Sequence, residues 1–190
     1  MTAKKNPLKI VAIGASAGGI SALHKILPAF SSPSHAVVVV IHLPPEGPNL
    51  LPSLFGHECS YKVKEAESGE TIEAQTIYVA PPGYHLSAEP AGTLSISNEE
   101  EINFSRPSID VLFESVAFAY KKSAMGILLT GANHDGAQGL KTISEMGGKT
   151  LVQNLKDAEF PTMPESAMKI MKPDAIFTLE EMATFIRGLK

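Results

Sequence analysis

The chain alternates short apolar runs with segments in which apolar residues recur every three or four positions. Lys9–Ile13 and His35–Ile41, the latter with four consecutive valines, are apolar on both faces. That is the pattern of strands covered by helices on each side. Tyr61–Glu65, Thr76–Ala80, Ala124–Leu129, Leu151–Asn154 and Ala175–Thr178 read as further strands. Tyr84–Ala88 and Thr93–Ser97, parted by Glu89-Pro90-Ala91-Gly92, read as a hairpin. Helical spacing predicts helices over Gly19–Leu27, Asn49–Gly56, Ala137–Met146, Glu165–Met171 and Leu179–Leu189. Another is carried by Ile109, Leu112, Phe113, Val116 and Tyr120, with Ser105 or Ser108 as its N-cap. Strand and helix alternate at both ends of the chain, so the expected fold is α/β: three layers, doubly wound, with five or more mostly parallel strands, helices on both faces and the hairpin at an edge.

Composition narrows the function. The 190 residues, 44% hydrophobic and 19% charged, suit one domain with a single three-layer core. A net charge of −4 with scattered Lys and Arg gives no electrostatic footprint for nucleic acid. One cysteine, Cys59, forms no internal disulfide. There is neither an apolar run of membrane-spanning length nor a secretory leader before the first strand, so a cytoplasmic protein without membrane insertion is expected.

The candidate chemistry sits at strand ends, where open α/β sheets place their ligands. Gly14-Ala15-Ser16-Ala17-Gly18 turns the first strand sharply into a helix and lifts Ser16 from the sheet beside free helix N–H groups. His42 follows the second strand. Asp135 closes the loop Thr130-Gly131-Ala132-Asn133-His134 before the next helix. A serine hydroxyl needs a base to remove its proton, and imidazole needs a carboxylate to hold its tautomer. Ser16, His42 and Asp135 therefore form a candidate triad. Each also has a plainer reading: a capping or phosphate-loop serine, a histidine bonded to a backbone carbonyl, and an aspartate N-cap. Asp110 with His134 is a weaker second arrangement, because Asp110 lies early in a helix where a dipole role suffices. Among other classes, a dinucleotide-binding site lacks the second glycine of the turn and the ribose-binding acid after the second strand. A metal hydrolase lacks paired histidine spacing, and neither a cofactor nor a metal is expected.

Six motifs occur in order: Gly14-Ala15-Ser16-Ala17-Gly18-Gly19, Ile41-His42-Leu43-Pro44, Ala80-Pro81-Pro82-Gly83-Tyr84-His85, Arg106 through Phe113, Leu129-Thr130-Gly131 to Ala137, and Met163-Pro164. Together they resemble the catalytic domain of the chemoreceptor protein-glutamate methylesterases of the CheB type, from about Ile10 to Arg187. The resemblance implies a Ser–His–Asp esterase that hydrolyses glutamate γ-methyl esters, and deamidates some glutamines, on receptor signalling helices. By motif, Ser16 matches the nucleophile, His42 the base and Asp135 the orienting acid. On this reading the oxyanion rests on backbone N–H groups at Ala17 and Ala132. Arg106 binds a substrate carboxylate or makes a structural salt bridge, Tyr84 and His85 line the cleft or make strand-edge contacts, and Met163-Pro164 shapes the rim. Partners would be methylated receptor helices, or a similar signalling protein, and a cognate methyltransferase.

Two departures stand out. The family usually has Thr-Gly-Met-Gly where this chain has Thr130-Gly131-Ala132-Asn133, which alters the wall beside the nucleophile. Ala17 stands where a threonine is common. The resembling family also tends to carry a phosphorylatable receiver domain before the esterase. With Met1 about nine residues from the first strand, the expectation here is a single catalytic domain over 8–190 and no receiver. A catalytically silent homologue that binds a receptor or partner is the alternative, and the altered Ala132–His134 stretch is its support.

Overall fold

Strict alternation of side chains along each strand divides the apolar residues between two cores, one on each face of a seven-stranded sheet. The structure is a computed structural model and describes residues 8–44 and 48–190. In chain order the elements are β1 (Lys9–Ala15), α1 (Gly19–Ile26), β2 (His35–Ile41), α2 (Leu51–Phe55), β3 (Lys62–Glu65), β4 (Thr76–Val79), β5 (His85–Ala88) and β6 (Leu94–Ser97). There follow α3 (Ile109–Tyr120), β7 (Ala124–Leu128), α4 (Ala137–Glu145), β8 (Lys149–Gln153), α5 (Thr162–Ile170), β9 (Ala175–Phe177) and α6 (Leu179–Arg187).

The large sheet has the order β3-β4-β2-β1-β7-β8-β9, and every pairing in it is parallel. Val11, Ile13, Val37, Val39, Ile77 and Val79 face α1 and α6, meeting Leu23, Ile26, Met182 and Ile186. Ile10, Ala12, Val38, Val40 and Tyr78 face the other way, where Ile109, Phe113, Leu140, Ile143 and Met163 of α3, α4 and α5 cover them. Fully burying one such side chain is worth about 1.5–3 kcal/mol over leaving it exposed. Surface ion pairs such as Lys169–Glu165, about 0–1 kcal/mol each, are minor beside that core.

The predicted hairpin is present as β5 and β6, in antiparallel register from His85 opposite Ser97 to Ala88 opposite Leu94. It makes its own two-stranded sheet and extends neither edge of the large one. Leu86, Ala88 and Leu94 instead join the core beside α3, and the Ala88 N–H donates to Ser115 Oγ of that helix at 3.0 Å. Helix α5 starts three residues before its predicted Glu165, taking Met163 and Pro164 into its first turn. A proline is tolerated there because a first-turn N–H has no intrahelical acceptor. Among the described residues, no helix is long and apolar enough to cross a membrane.

The strand order determines where a site can form. From β1 the chain moves to β2 on one side, whereas β7 lies on the other side of β1 and leads outward to β8 and β9. The loops leaving β1 and β7 therefore part above the sheet and open a crevice at the carboxyl ends.

Candidate active site

Three loops enter that crevice, each fastened by backbone bonds that prolong the sheet. The Ser16 N–H donates to Thr130 O at 3.0 Å, and the Ser16 carbonyl accepts from Gly19 N at 2.8 Å. Gly18 completes this turn at φ 75° and caps α1, a backbone conformation that glycine adopts without a Cβ clash. The His42 N–H donates to Ala15 O at 3.2 Å. Thr130 Oγ1 donates to Ala17 O at 3.0 Å, and the Thr130 N–H donates to Gln153 Oε1 at 2.8 Å. The loop after β7 is thus stitched to the serine turn on one side and to β8 on the other.

Ser16, His42 and Asp135 meet. His42 Nδ1 lies 3.2 Å from Ser16 Oγ, and His42 Nε2 lies 2.9 Å from Asp135 Oδ2. The ring nitrogens are exchanged relative to the usual serine-protease arrangement, in which Nε2 faces the serine. Asp135 is fully buried, yet five donors surround its carboxylate. Oδ2 accepts from His42 Nε2 and from the Ile109 N–H at 2.6 Å; Oδ1 accepts from Ser108 Oγ at 2.9 Å, Asn103 Nδ2 at 3.1 Å and the Asp110 N–H at 3.2 Å. Ser108 is the N-cap of α3, so the charge sits at the positive end of that helix. Burial works against the ionised form, but the bonds from His42, Ile109 and Asn103 outweigh it and hold the carboxyl below the ordinary aspartate range. An ionised Asp135 accepts a hydrogen bond from Nε2–H, which keeps the proton on Nε2 and leaves Nδ1 with a lone pair directed at Ser16.

Further side chains brace the relay from behind. Asn103, at φ 54°, donates from Nδ2 both to Asp135 and to Asp110 Oδ2, the latter at 2.7 Å. Asp110 does not pair with His134, which is exposed. Its carboxylate instead ties α3 to α4 by accepting the Gly139 N–H at 2.7 Å. Burial, against the bond from Gly139 and with the charge of Asp135, pushes the Asp110 carboxyl up to about 6. His85 is buried rather than lining the cleft; its Nδ1 accepts the Ser108 N–H at 3.1 Å and so braces the start of α3. Tyr84 is exposed and Met163 fully buried. Of these, Asn103 carried no sequence signal, Ser108 was legible only as a helix cap, and Asp110 as a helix-dipole residue or the weaker partner of His134.

Among the described residues, the amides of Ala17 and Ala132 have no hydrogen-bond acceptor. Gly131, between Thr130 and Ala132, lets the loop cross directly against the serine: a Cβ there would lie 3.0 Å from Ser16 Cβ and 2.4 Å from Met163 Cε. Arg106 makes no salt bridge among the described residues. Its Nη1 donates to the carbonyls of Asn98 at 3.2 Å and Glu99 at 2.9 Å, beside a depression of about 190 Å³ shared with His42, Gly83, Glu101 and Phe104. Among the described residues, no cluster of three His, Cys, Asp or Glu side chains could hold a metal ion.

Known proteins share this fold. The model of the CheB methylesterase family matches residues 11–186. The chain belongs to the CheB methylesterase family. The crystal structure of the Thermotoga maritima CheB methylesterase catalytic domain superposes with a TM-score of 0.90 at 28% identity, over 96% of this chain and 99% of that one. A Leptospira interrogans relative is 45% identical over 179 residues, 93% of each chain. The protein-glutamate methylesterase/protein-glutamine glutaminase of Sulfurimonas denitrificans is 35% identical over 184 residues, and the corresponding protein 1 of Chromobacterium violaceum 31% over 185. This chain spans about half the length of those two relatives, 52% of each. The family is one of carboxylic ester hydrolases, and its fold is the mostly parallel sheet described above.

Proposed function

We propose that this chain is a protein-glutamate methylesterase in which Ser16 is the nucleophile, His42 Nδ1 the base and Asp135 the acid that orients it. Ser16 Oγ bonds to the γ-carbonyl carbon of a methylated glutamyl residue while its proton passes to His42 Nδ1. The resulting tetrahedral centre breaks its bond to the methoxy oxygen, which takes that proton and leaves as methanol. Water then attacks the acyl-enzyme, His42 relays its proton to Ser16 Oγ, and the free glutamate departs. The same sequence on a glutamine side chain releases ammonia. The amides of Ala17 and Ala132, unpaired among the described residues, are the donors for the oxyanion, and Arg106 offers its guanidinium to a carboxylate near the scissile ester.

The observation that carries this reading is the relay itself, Ser16 to His42 at 3.2 Å and His42 to a buried, ionised Asp135 at 2.9 Å. The partners proposed are the methylated cytoplasmic helices of chemoreceptors or a similar signalling protein, with a methyltransferase as the opposing enzyme. Residues 8–190 act as one catalytic domain in the cytoplasm, where such helices lie. Ser16→Ala tests the assignment: methanol release from a γ-methyl-glutamyl peptide should fall by several orders of magnitude while the Tm stays within about 2 °C of the parent. Parent-level methanol release by Ser16→Ala refutes it.

A further inference from the structure

The loop after β7 carries a side chain that the relay does not use. Asn133 Nδ2 lies 3.3 Å from His42 Nδ1, the nitrogen that also faces Ser16 Oγ at 3.2 Å. The amide orientation follows from its other end, since Asn133 Oδ1 accepts the Asp135 N–H at 3.2 Å and the NH₂ group must therefore point at the imidazole. With Nε2 protonated toward Asp135, Nδ1 has one lone pair and two donors compete for it. Both distances exceed the usual length of a well-made bond, as expected for a shared acceptor.

Proton transfer changes that balance. Once Nδ1 has taken the proton of Ser16 it is itself a donor, and the Asn133 N–H loses its acceptor. At the same moment a negative oxygen forms on the carbon bonded to Ser16 Oγ, beside the same nitrogen. Ala132, whose amide is unpaired among the described residues, is the adjoining residue of the loop. We propose that Asn133 is a catalytic residue whose Nδ2–H moves from His42 to the oxyanion as the proton leaves Ser16. No covalent bond is made or broken by Asn133. It exchanges one acceptor for another, so the donor is parked on the base in the resting enzyme and released by the step it then supports. The glycine usual at this position in the resembling family has no such group. The proposal rests on the triad assignment above.

The test is the rate at which a fluorophosphonate labels Ser16: the serine oxygen bonds to phosphorus as fluoride leaves, and the tetrahedral adduct presents a strongly polarised phosphoryl oxygen where the oxyanion of the ester would form. Wild-type protein should be labelled and Ser16→Ala should not. Asn133→Ala should be labelled about 10²-fold more slowly, the loss typical of one oxyanion donor. Asn133→Asp keeps the acceptor for the Asp135 N–H but replaces the donor, so it should be no faster than Asn133→Ala. A merely structural tie would let the aspartate variant recover the rate. In the labelled wild-type protein, the Asn133 side-chain amide protons should also shift downfield in a ¹⁵N-correlated spectrum, a readout that needs no variant to fold. If Ser16 is labelled but Asn133→Ala reacts within threefold of wild type, or Asn133→Asp restores the rate, or the amide protons do not move, the proposal is overturned and the triad stands. If wild-type protein is not labelled at Ser16, the triad reading fails and this proposal with it.

Discussion

Asparagine at position 135 would keep the shape of the aspartate and replace one carboxylate oxygen by an NH₂ group, in a site where five donors converge. Two orientations are open. With the amide oxygen facing His42 and Ile109, the NH₂ group opposes Ser108, Asn103 and Asp110. Only the Ser108 hydroxyl can rotate to accept, so the N–H groups of Asn103 and Asp110 each lose a bond. With the oxygen facing those three, the NH₂ group meets the Ile109 N–H and His42 Nε2. The imidazole can then move its proton to Nδ1 and accept at Nε2, which leaves Ile109 as the one buried donor without a partner; the Asn133 N–H also loses Nδ1, but Asn133 is only half-buried and water can replace that bond. Each buried donor left without an acceptor costs about 1–3 kcal/mol, so the second orientation wins by roughly that amount. It is the inactive one, because Nδ1–H faces Ser16 and cannot take its proton. The expected loss in kcat is about 10⁴-fold, the value for the corresponding tautomer error in a serine protease. The orphaned Ile109 N–H and the lost charge at the start of α3 should together lower stability by about 3 kcal/mol, or roughly 6–12 °C in Tm. Methanol release and calorimetry on the same preparation read both quantities. A folded Asp135→Asn protein that keeps activity within tenfold of the parent would refute the tautomer argument.

Asp110 should make stability depend on pH in the opposite sense to Asp135. A carboxyl raised to about 6 in the fold binds its proton more tightly than in the unfolded chain, so its contribution declines as pH rises from about 4 to 6, by about 3 kcal/mol. Asp110→Asn should flatten that decline and match or exceed the parent in Tm at pH 8; coincident stability curves for the two proteins over pH 4–6 would contradict this. Asp135, lowered in the fold, contributes stability above the ordinary aspartate range that is lost as pH falls through its depressed value. Gly131→Ala should cut kcat by at least tenfold, because the added methyl must displace Met163 and press on Ser16; parent-like kinetics would show that the loop yields freely.

Much of the site was legible before any coordinates. Apolar runs at β1, β2 and β7 placed Ser16, His42 and Asp135 after parallel strands, and parallel strands put their ends on one rim. The hairpin was legible as local turn chemistry, but whether it would extend the sheet or lie on α3 depended on which surface its Leu86 and Leu94 could bury against. Asn103 had no pattern to announce it, and Asp110 was legible only as a helix-dipole residue or a weaker partner of His134. Their roles arise because the start of α3 docks against the loop after β7, a contact between segments far apart in the chain.

What the sequence determined by itself was periodic and local: which segments are strands, which are helices, where the backbone must turn sharply, and hence which three polar side chains stand at strand ends. The tertiary structure alone decided which ring nitrogen of His42 faces the serine, how a fully buried carboxylate remains ionised, and where the Asn133 amide points. Those outcomes depend on strand order and on a helix N-terminus brought to the acid from a distant segment. Hydrogen-bond direction is set by atoms within about 3 Å of one another, and only the folded chain brings these atoms so close.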